Sequence, residues 1–108
     1  MAVPDLRTQL TLEQPDRVAD GLGGHVSTWR QLGVIWAQMD AGSGREDGAI
    51  SAVRWRITVR AAPVGNPRRP KAGQRFRQGE RLFLIEAVAE RDPQGAFLTC
   101  HAREENPT

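Results

Sequence analysis

The stretch Val53-Arg54-Trp55-Arg56-Ile57-Thr58-Val59-Arg60 alternates apolar residues with mostly cationic ones. Successive side chains of a β-strand point to opposite faces of the sheet. This alternation therefore predicts a strand with an apolar face and a polar face rich in arginine. The apolar face would carry Val53, Trp55, Ile57 and Val59, and the polar face Arg54, Arg56, Thr58 and Arg60. The first face belongs to a hydrophobic core, whereas the partner of the second is the functional question.

The same two-residue period recurs along the chain in short segments that are separated by turn residues. We predict strands at residues 6–13, 25–32, 34–39, 53–60, 74–77, 81–88 and 96–103. Gln14-Pro15 would end the first strand, and Gly33 would separate the second from the third. Turns are predicted at Asp20–Gly24, Gln78-Gly79 and Asp92–Gly95.

These short strands, with no long helical segment between them, predict an all-β fold. We expect a small antiparallel β-barrel or sandwich of about six to seven strands. A long glycine-rich loop would lie around residues 40–52, and the segment 61–73, with three prolines and two glycines, would be irregular. A chain of 108 residues fits one domain, 1–108, with 1–5 and 104–108 as flexible ends.

Charge is segregated along the chain, although the formal net charge at pH 7 is only +2. Residues 54–81 contain nine cations and one acid, Glu80. Such segregation produces a bipolar surface, which suits either a polyanion or a neighbouring protein with the opposite patch. The candidate basic interface consists of Arg54, Arg56, Arg60, Arg68, Arg69 and Lys71.

The sequence holds few residues that could carry catalysis. It has two histidines, His25 and His101, and no HExxH motif, phosphate-binding loop or nucleophile elbow. Its one cysteine, Cys100, excludes an intrachain disulfide and a cysteine-based zinc site and is predicted to be a core residue. We therefore expect no enzyme activity, no cofactor and no metal site.

Membrane insertion and secretion are not expected either. No apolar run approaches the roughly 20 residues that span a bilayer. Met1–Leu10 lacks the basic start and the apolar stretch of a secretory signal. The chain is therefore expected to be soluble and of intracellular origin.

The three tryptophans are candidates either for the core or for stacking on nucleic-acid bases. Trp55 shares its face with apolar residues, and Trp36 lies in a segment that is nearly apolar on both faces, so both are predicted to be core residues. Trp29 is left open, because its face also carries polar residues. Since aromatic and basic residues mostly fall on opposite faces, base stacking is disfavoured, whereas phosphate contact or a protein interface stays open.

Four segments follow one another in an order that is informative as a set. They are Leu6–Pro15; Asp20–Trp29, which runs into Val34–Ala37; Gly44–Glu46, followed by Arg56–Arg60; and Gly73–Phe76 through Phe83–Val88 to Phe97–Cys100. In this order and spacing they resemble the phage head–tail joining proteins. These are the small head-closure, or stopper, family of long-tailed phages and phage-like gene transfer agents. The resemblance covers roughly residues 6–103.

The resemblance implies a structural virion component of the neck or connector, assembled in the bacterial cytoplasm. Members of the family form a ring beneath the portal and adaptor, close the DNA channel after packaging and present a docking surface for the tail. The partners implied are further copies of the chain in a homo-oligomeric ring, a portal or adaptor protein on the head side, and a tail-terminator or tail-tube protein on the tail side. Contact with packaged DNA would be non-specific.

In the family the loop after the third strand faces the channel, and it corresponds here to Asp40–Ala52. The resemblance thus implies a set of channel-facing or intersubunit contacts: Ser43, Arg45, Glu46 and Asp47. For Arg54, Arg56 and Arg60 we favour contact with protein over contact with DNA, because strong phosphate binding would hinder release of the genome. The alternatives are a small-barrel nucleic-acid-binding module and a tail-terminus protein of the same kind of particle.

Overall fold

The arginine-rich alternation at residues 53–60 forms a β-strand in the computed structural model, which describes residues 3–42 and 52–105. Six strands lie within these two ranges, and the all-β prediction is confirmed. The strands are β1 (Thr8–Ala19), β2 (His25–Ala41), β3 (Ala52–Arg60), β4 (Arg75–Gln78), β5 (Arg81–Glu90) and β6 (Phe97–Glu105). The described residues contain no helix long and apolar enough to cross a membrane.

All neighbouring strands pair antiparallel, in the order β1-β2-β3-β6-β5-β4. Because β4 also pairs with β1, the sheet closes into a barrel. Of the two architectures expected from the sequence, the barrel is therefore the correct one. Closure pairs the two edges that an open sheet would expose and encloses a single core.

The core is built from the inward faces of all six strands. On β3, Ile57 and Val59 are buried, and Trp55 packs edge-on against Phe83 with the ring centroids 6.0 Å apart. Cys100 is buried on β6, as predicted. The buried apolar residues are Leu10, Leu12, Ala37, Ile57, Val59, Phe76, Phe83, Ile85, Leu98, Cys100 and Ala102.

The first hairpin is longer than predicted. β1 continues through Pro15, and β2 is a single strand across Gly33. Gly33 pairs with Leu12, and the next pair along the hairpin joins Glu13 to Gln31. The extra residue between them makes Gly33 part of a β-bulge rather than a break. Pro15 is tolerated because β4 pairs with β1 only up to Glu13, so this part of β1 is an edge.

Beyond Glu13 the hairpin leaves the barrel as a two-stranded arm, defined here as residues 14–30. In the arm β1 pairs only with β2. At its tip Asp20 Oδ1 accepts hydrogen bonds from Leu22 N (2.7 Å) and Gly24 N (3.0 Å), so the predicted turn is present. The molecule measures 53 × 38 × 23 Å along its principal axes.

The other loops follow the sequence closely. The segment 61–73 contains no regular strand, as predicted. The turn Asp92–Gly95 is closed by a hydrogen bond from Gly95 N to Asp92 O (2.9 Å). The β4–β5 turn lies one residue later than predicted and consists of Gly79 and Glu80, with Gly79 at a positive φ of 61°.

The prediction of a flexible end from residue 104 was wrong for Glu104. This residue lies in β6 and is only 2% exposed. Its carboxylate accepts two hydrogen bonds from Arg81 (2.7 and 2.9 Å) and one from the indole N–H of Trp55 (3.1 Å). A buried carboxylate needs such partners to offset its loss of hydration, and here they hold the end of β6 in the barrel.

A second buried carboxylate lies at the seam where β1 meets β4. Glu13 is 5% exposed and pairs with Arg75 across this seam. It accepts hydrogen bonds from Arg75 Nε (2.7 Å) and Arg77 Nε (2.8 Å). Glu13 therefore ties the first strand to the fourth and closes the barrel.

The pKa of each of these carboxyl groups lies below its ordinary value. In Glu104 the hydrogen bonds from Arg81 are the largest influence and lower the pKa, while burial opposes them. In Glu13 burial is the largest single influence and raises the pKa, but the hydrogen bonds and charges of Arg77 and Arg75 together outweigh it. Ionisation of both groups thus favours the folded state.

We expect Glu104→Gln to lower the free energy of unfolding by about 1.5–3 kcal/mol, the range for hydrogen bonds to charged groups. Glutamine keeps the shape of the side chain but removes the charge that faces Arg81. Urea unfolding followed by far-UV circular dichroism measures the change. The control is Glu80→Gln in the exposed β4–β5 turn, which should stay within about 0.5 kcal/mol of the parent. Equal losses in the two variants would contradict the structural role of Glu104.

Acid should destabilise the barrel through Glu13 and Glu104. Their pKa is lower in the folded than in the unfolded chain, so their contribution is complete above the ordinary glutamate pKa and is lost as the pH falls below it. The double variant Glu13→Gln/Glu104→Gln should therefore lose less unfolding free energy on acidification than the parent does. Urea unfolding at a series of pH values tests this, and parallel curves would refute the linkage.

Candidate functional site

The arginine face of β3 is exposed to solvent. It consists of Arg54, Arg56 and Arg60. Thr58, predicted on the same face, is instead only 4% exposed. It is shorter than its neighbours and pairs with Gln38 of β2, whose side chain accepts a hydrogen bond from Asp5 N (2.7 Å). The N-terminal segment thus passes close to the middle of this face and divides the arginines into two groups.

One end of the arginine face borders a pocket of about 240 Å³. Arg54 and Arg56 line this pocket together with His101 and Glu86. Glu86 lies at a β-bulge of β5, and its carboxylate accepts a hydrogen bond from Arg54 Nη1 (2.9 Å). Glu86 is shared, because its other carboxylate oxygen lies 3.6 Å from Arg103 Nη1.

The other end of the arginine face borders an apolar groove of about 300 Å³ beside β2. Its lining consists of Leu6, Val34, Ile35, Trp36, Arg60, Ala61, Ala62 and Arg68. Trp36 is 51% exposed and Val34 43% exposed. The prediction of Trp36 as a core residue was wrong, because the alternation along β2 turns Ile35 and Ala37 towards the core and places Trp36 on the outer face of the barrel.

The remaining predicted cations take different positions. Arg68 lies over the β2 bulge, where a Cβ added to Gly33 would be 3.1 Å from Arg68 Nε. Arg69 Nη1 donates a hydrogen bond to Ala62 O (2.8 Å), and Lys71 is exposed. The structure thus brings Arg60 and Arg68 together at the groove, separately from Arg54 and Arg56. The six cations do not form one continuous patch.

The loop implied to face a channel lies mostly outside the described residues, and so do Ser43, Arg45, Glu46 and Asp47. Its first described neighbour, Gly42, donates a backbone hydrogen bond to Arg54 O (2.6 Å) and lines the same pocket as Arg54. The loop therefore leaves the barrel next to the arginine face.

Trp29, which the sequence left open, lies at the base of the arm. The guanidinium of Arg75 stacks over its ring, 4.0 Å from the centroid. Gln74 Nε2 donates a hydrogen bond to Gln14 Oε1 (2.7 Å). These contacts fix the direction in which the arm leaves the barrel. The sequence predicted the turn at Asp20–Gly24 and the return strand 25–32, but it ended the first strand at Gln14-Pro15 and so missed the pairing up to Ala19 that forms the arm.

The described residues contain no cluster of His, Cys, Asp and Glu that would hold a metal ion. Burial raises the pKa of the Cys100 thiol to about 12, so the thiolate is scarce at neutral pH. The features that stand out are therefore surfaces: the arginine face, the apolar groove and the arm. Surfaces of this kind suit binding and assembly.

Comparison with known proteins gives a consistent result. The sequence profile of the phage head completion protein family matches residues 1–105. A chain from the virion of a native gene transfer agent particle is 50% identical, with a TM-score of 0.84, over 98% of this chain and 100% of that chain. The solution structure of a protein from Shigella flexneri 2a shares the fold, with 24% identity and a TM-score of 0.68 over the full length of both chains. No curated protein matches the sequence.

The different burial of the two β-strand tryptophans has a measurable consequence. Trp36→Ala should change the free energy of unfolding by less than about 1 kcal/mol, because the side chain is half exposed. Trp55→Ala should cost about 3–5 kcal/mol, since it removes the ring packed on Phe83 and the hydrogen bond to Glu104. Urea unfolding measures both. A larger loss for Trp36→Ala than for Trp55→Ala would contradict the assignment of Trp36 to the surface.

Proposed function

The chain belongs to the phage head completion protein family, and on this basis we propose that it closes the DNA channel at the head–tail connector of a phage-like particle. In this proposal, copies of the chain form a ring after genome packaging. The ring contacts a portal or adaptor protein on the head side and offers a docking surface for the tail. Residues 1–108 would act as one head–tail joining domain.

The observation that carries the proposal is the 50% identity to a chain of a gene transfer agent virion over nearly the whole length. Together with the family match, it fits a structural virion component in the head–tail region. Ring formation and channel closure go further than this and rest on the resemblance to head-closure proteins. The family is structural, and we assign no catalytic role.

The surfaces of the barrel suit a ring. A closed ring of identical chains needs a heterologous interface, in which one patch of each copy meets a different patch of the next. The chain offers two such patches: the arm at one end and the groove with its neighbouring arginines on the barrel. Small ring components of this kind need only modest interfaces, because neighbouring proteins template their assembly.

The loop at 40–52 is proposed to face the channel or the next subunit. Its start is tied to Arg54 through Gly42. If this loop faces the channel or the next subunit, Arg54 therefore lies close to the channel or to that subunit as well. Ser43, Arg45, Glu46 and Asp47 remain the candidate contacts of this loop.

We favour protein contact for the arginine face. Arg54 already binds the Glu86 carboxylate of its own chain at 2.9 Å, so this face accommodates an acidic side chain. A channel that must release duplex DNA gains nothing from a row of cations that binds phosphates tightly. An acidic patch on a neighbouring protein would satisfy the same guanidiniums and add specificity.

A nucleic-acid-binding module is the second candidate, and the exposure of Trp36 beside Arg60 and Arg68 favours it. An exposed aromatic ring between cations can stack on a base while the cations meet the backbone. Affinity of that kind falls steeply with salt. Our proposal expects no such salt-dependent binding of oligonucleotides by the purified chain. Particles that lack the chain distinguish a tail-terminus role from head closure. Their heads would keep the packaged DNA if the chain acts at the tail terminus and would lose it if the chain closes the head.

The triple variant Arg54→Ser/Arg56→Ser/Arg60→Ser should block joining of heads and tails while the isolated chain stays folded. Loss of one arginine from a buried interfacial pair costs about 2–5 kcal/mol, so three losses exceed what a modest interface can absorb. Electron microscopy of particles from a strain carrying the variant measures the fraction with tails.

The matched control for this experiment replaces the same three arginines with lysine. It keeps the charge and should retain most tailed particles, although it loses the planar guanidinium geometry. A normal yield of tailed particles from the serine variant would overturn the role of the arginine face. Circular dichroism of both purified variants establishes that they are folded.

A further inference from the structure

The tip of the arm exposes apolar side chains. Leu22 is 90% exposed, and Val18 and Val26, which pair across the arm, are 46% and 50% exposed. Directly paired residues lie on the same face of a hairpin, so the two valines form one apolar strip behind the leucine. A two-stranded ribbon is only marginally stable alone in water, and coverage of this strip would stabilise it.

The apolar groove has the complementary character. Trp36 and Val34 give it an exposed apolar lining, and Arg60 and Arg68 flank it with positive charge. Its volume of about 300 Å³ is small for a ligand site and suits a few side chains of a protein segment. The occupant that fits is therefore an exposed turn that carries an apolar side chain next to an acid.

The arm tip meets this description. Leu22 follows Asp20, which is exposed and carries a negative charge at the end of the arm. Asp20 uses Oδ1 for both hydrogen bonds of the turn. The charge of the carboxylate thus lies at the tip, next to the leucine, where it can meet a guanidinium of another molecule.

The tip cannot reach the groove of its own molecule. β2 connects the two: it begins at His25, next to the tip of the arm, and reaches the groove at Val34. Nine residues of extended strand separate these two positions, which corresponds to about 30 Å at 3.3 Å per residue. Because the strand itself keeps them apart, an arm and a groove can meet only between two copies of the chain.

We propose that the arm tip of each copy docks into the apolar groove of the next copy in the ring, with Leu22 against Trp36 and Asp20 facing Arg60 and Arg68. The contact is heterologous and repeats around a closed ring, because each copy supplies one arm and one groove. This proposal rests on the proposed function, since it takes the ring as given and names the interface that joins its subunits.

The test uses particles that carry the double variant Leu22→Cys/Val34→Cys. Both positions are exposed, so neither cysteine disturbs the barrel, and the natural Cys100 is buried and does not compete. Mild oxidation should link neighbouring copies and produce a ladder of oligomers on a non-reducing gel. Each single-cysteine variant should give no ladder, because one cysteine of the pair is missing.

A matched control pairs Leu22→Cys with Glu80→Cys, which is also exposed but lies in the β4–β5 turn and does not line the groove. This pair should yield no ladder. Tailed particles of Leu22→Cys/Val34→Cys without a ladder would overturn the arm-to-groove contact and leave head closure untouched. A link from Cys at position 22 to a different virion protein would overturn it as well, because the arm would then have another occupant.

A second variant covers the case in which the double-cysteine particles do not form. Purified Leu22→Cys and Val34→Cys chains, each confirmed as folded by circular dichroism, are mixed in equal amounts at high concentration and cross-linked with a bifunctional thiol reagent under reducing-agent-free, non-oxidising conditions. A mixed dimer at clearly more than twice the yield of either homodimer, which is the statistical expectation for an equal mixture, supports the contact, and statistical yields contradict it. If the proposed head-closure function were wrong, a strain that lacks the gene would instead produce normal tailed particles.

Discussion

The short pairing of β1 with β4 is the constraint on which the rest of the structure depends. It joins three residues of β1 to three of β4 and turns a six-stranded sheet into a barrel. Glu13 stabilises this seam, because its buried carboxylate is held by Arg75 and Arg77 at 2.7 and 2.8 Å. An unpaired carboxylate there would cost far more than the pair contributes. The β1–β4 pairing and the ion pairs of Glu13 therefore depend on each other.

The same seam determines where the arm begins. β1 loses its second neighbour just after Glu13, and from that point the hairpin continues as the arm. Arg75 binds Glu13 and also stacks over Trp29, so closure of the barrel and the direction of the arm share one side chain. On the other strand of the hairpin, the alternation along β2 buries Ala37 and leaves Trp36 on the outer face, in the lining of the groove. The barrel thus presents two unlike surfaces, as subunits of a ring require.

The sequence predicted what depends on local pattern and missed what depends on distant partners. The two-residue period at 53–60 was sufficient for β3, its core face and the all-β class. Whether Pro15 and Gly33 end a strand depends on the pairing across the hairpin, which no local pattern reveals. Glu13 and Glu104 look solvent-facing in sequence, and their burial depends on arginines 62 and 23 residues away. The candidate site was predicted in part: the arginines of β3 are exposed, but they divide between a pocket and a groove.

Negative-stain electron microscopy of particles from a strain that lacks this gene tests head closure most directly. A head-closure protein acts after packaging and before tail attachment, so its absence should leave heads that leak their DNA beside separate, finished tails. Restoring the gene should restore tailed particles. Normal tailed particles in the absence of the gene would contradict a role at the head–tail junction.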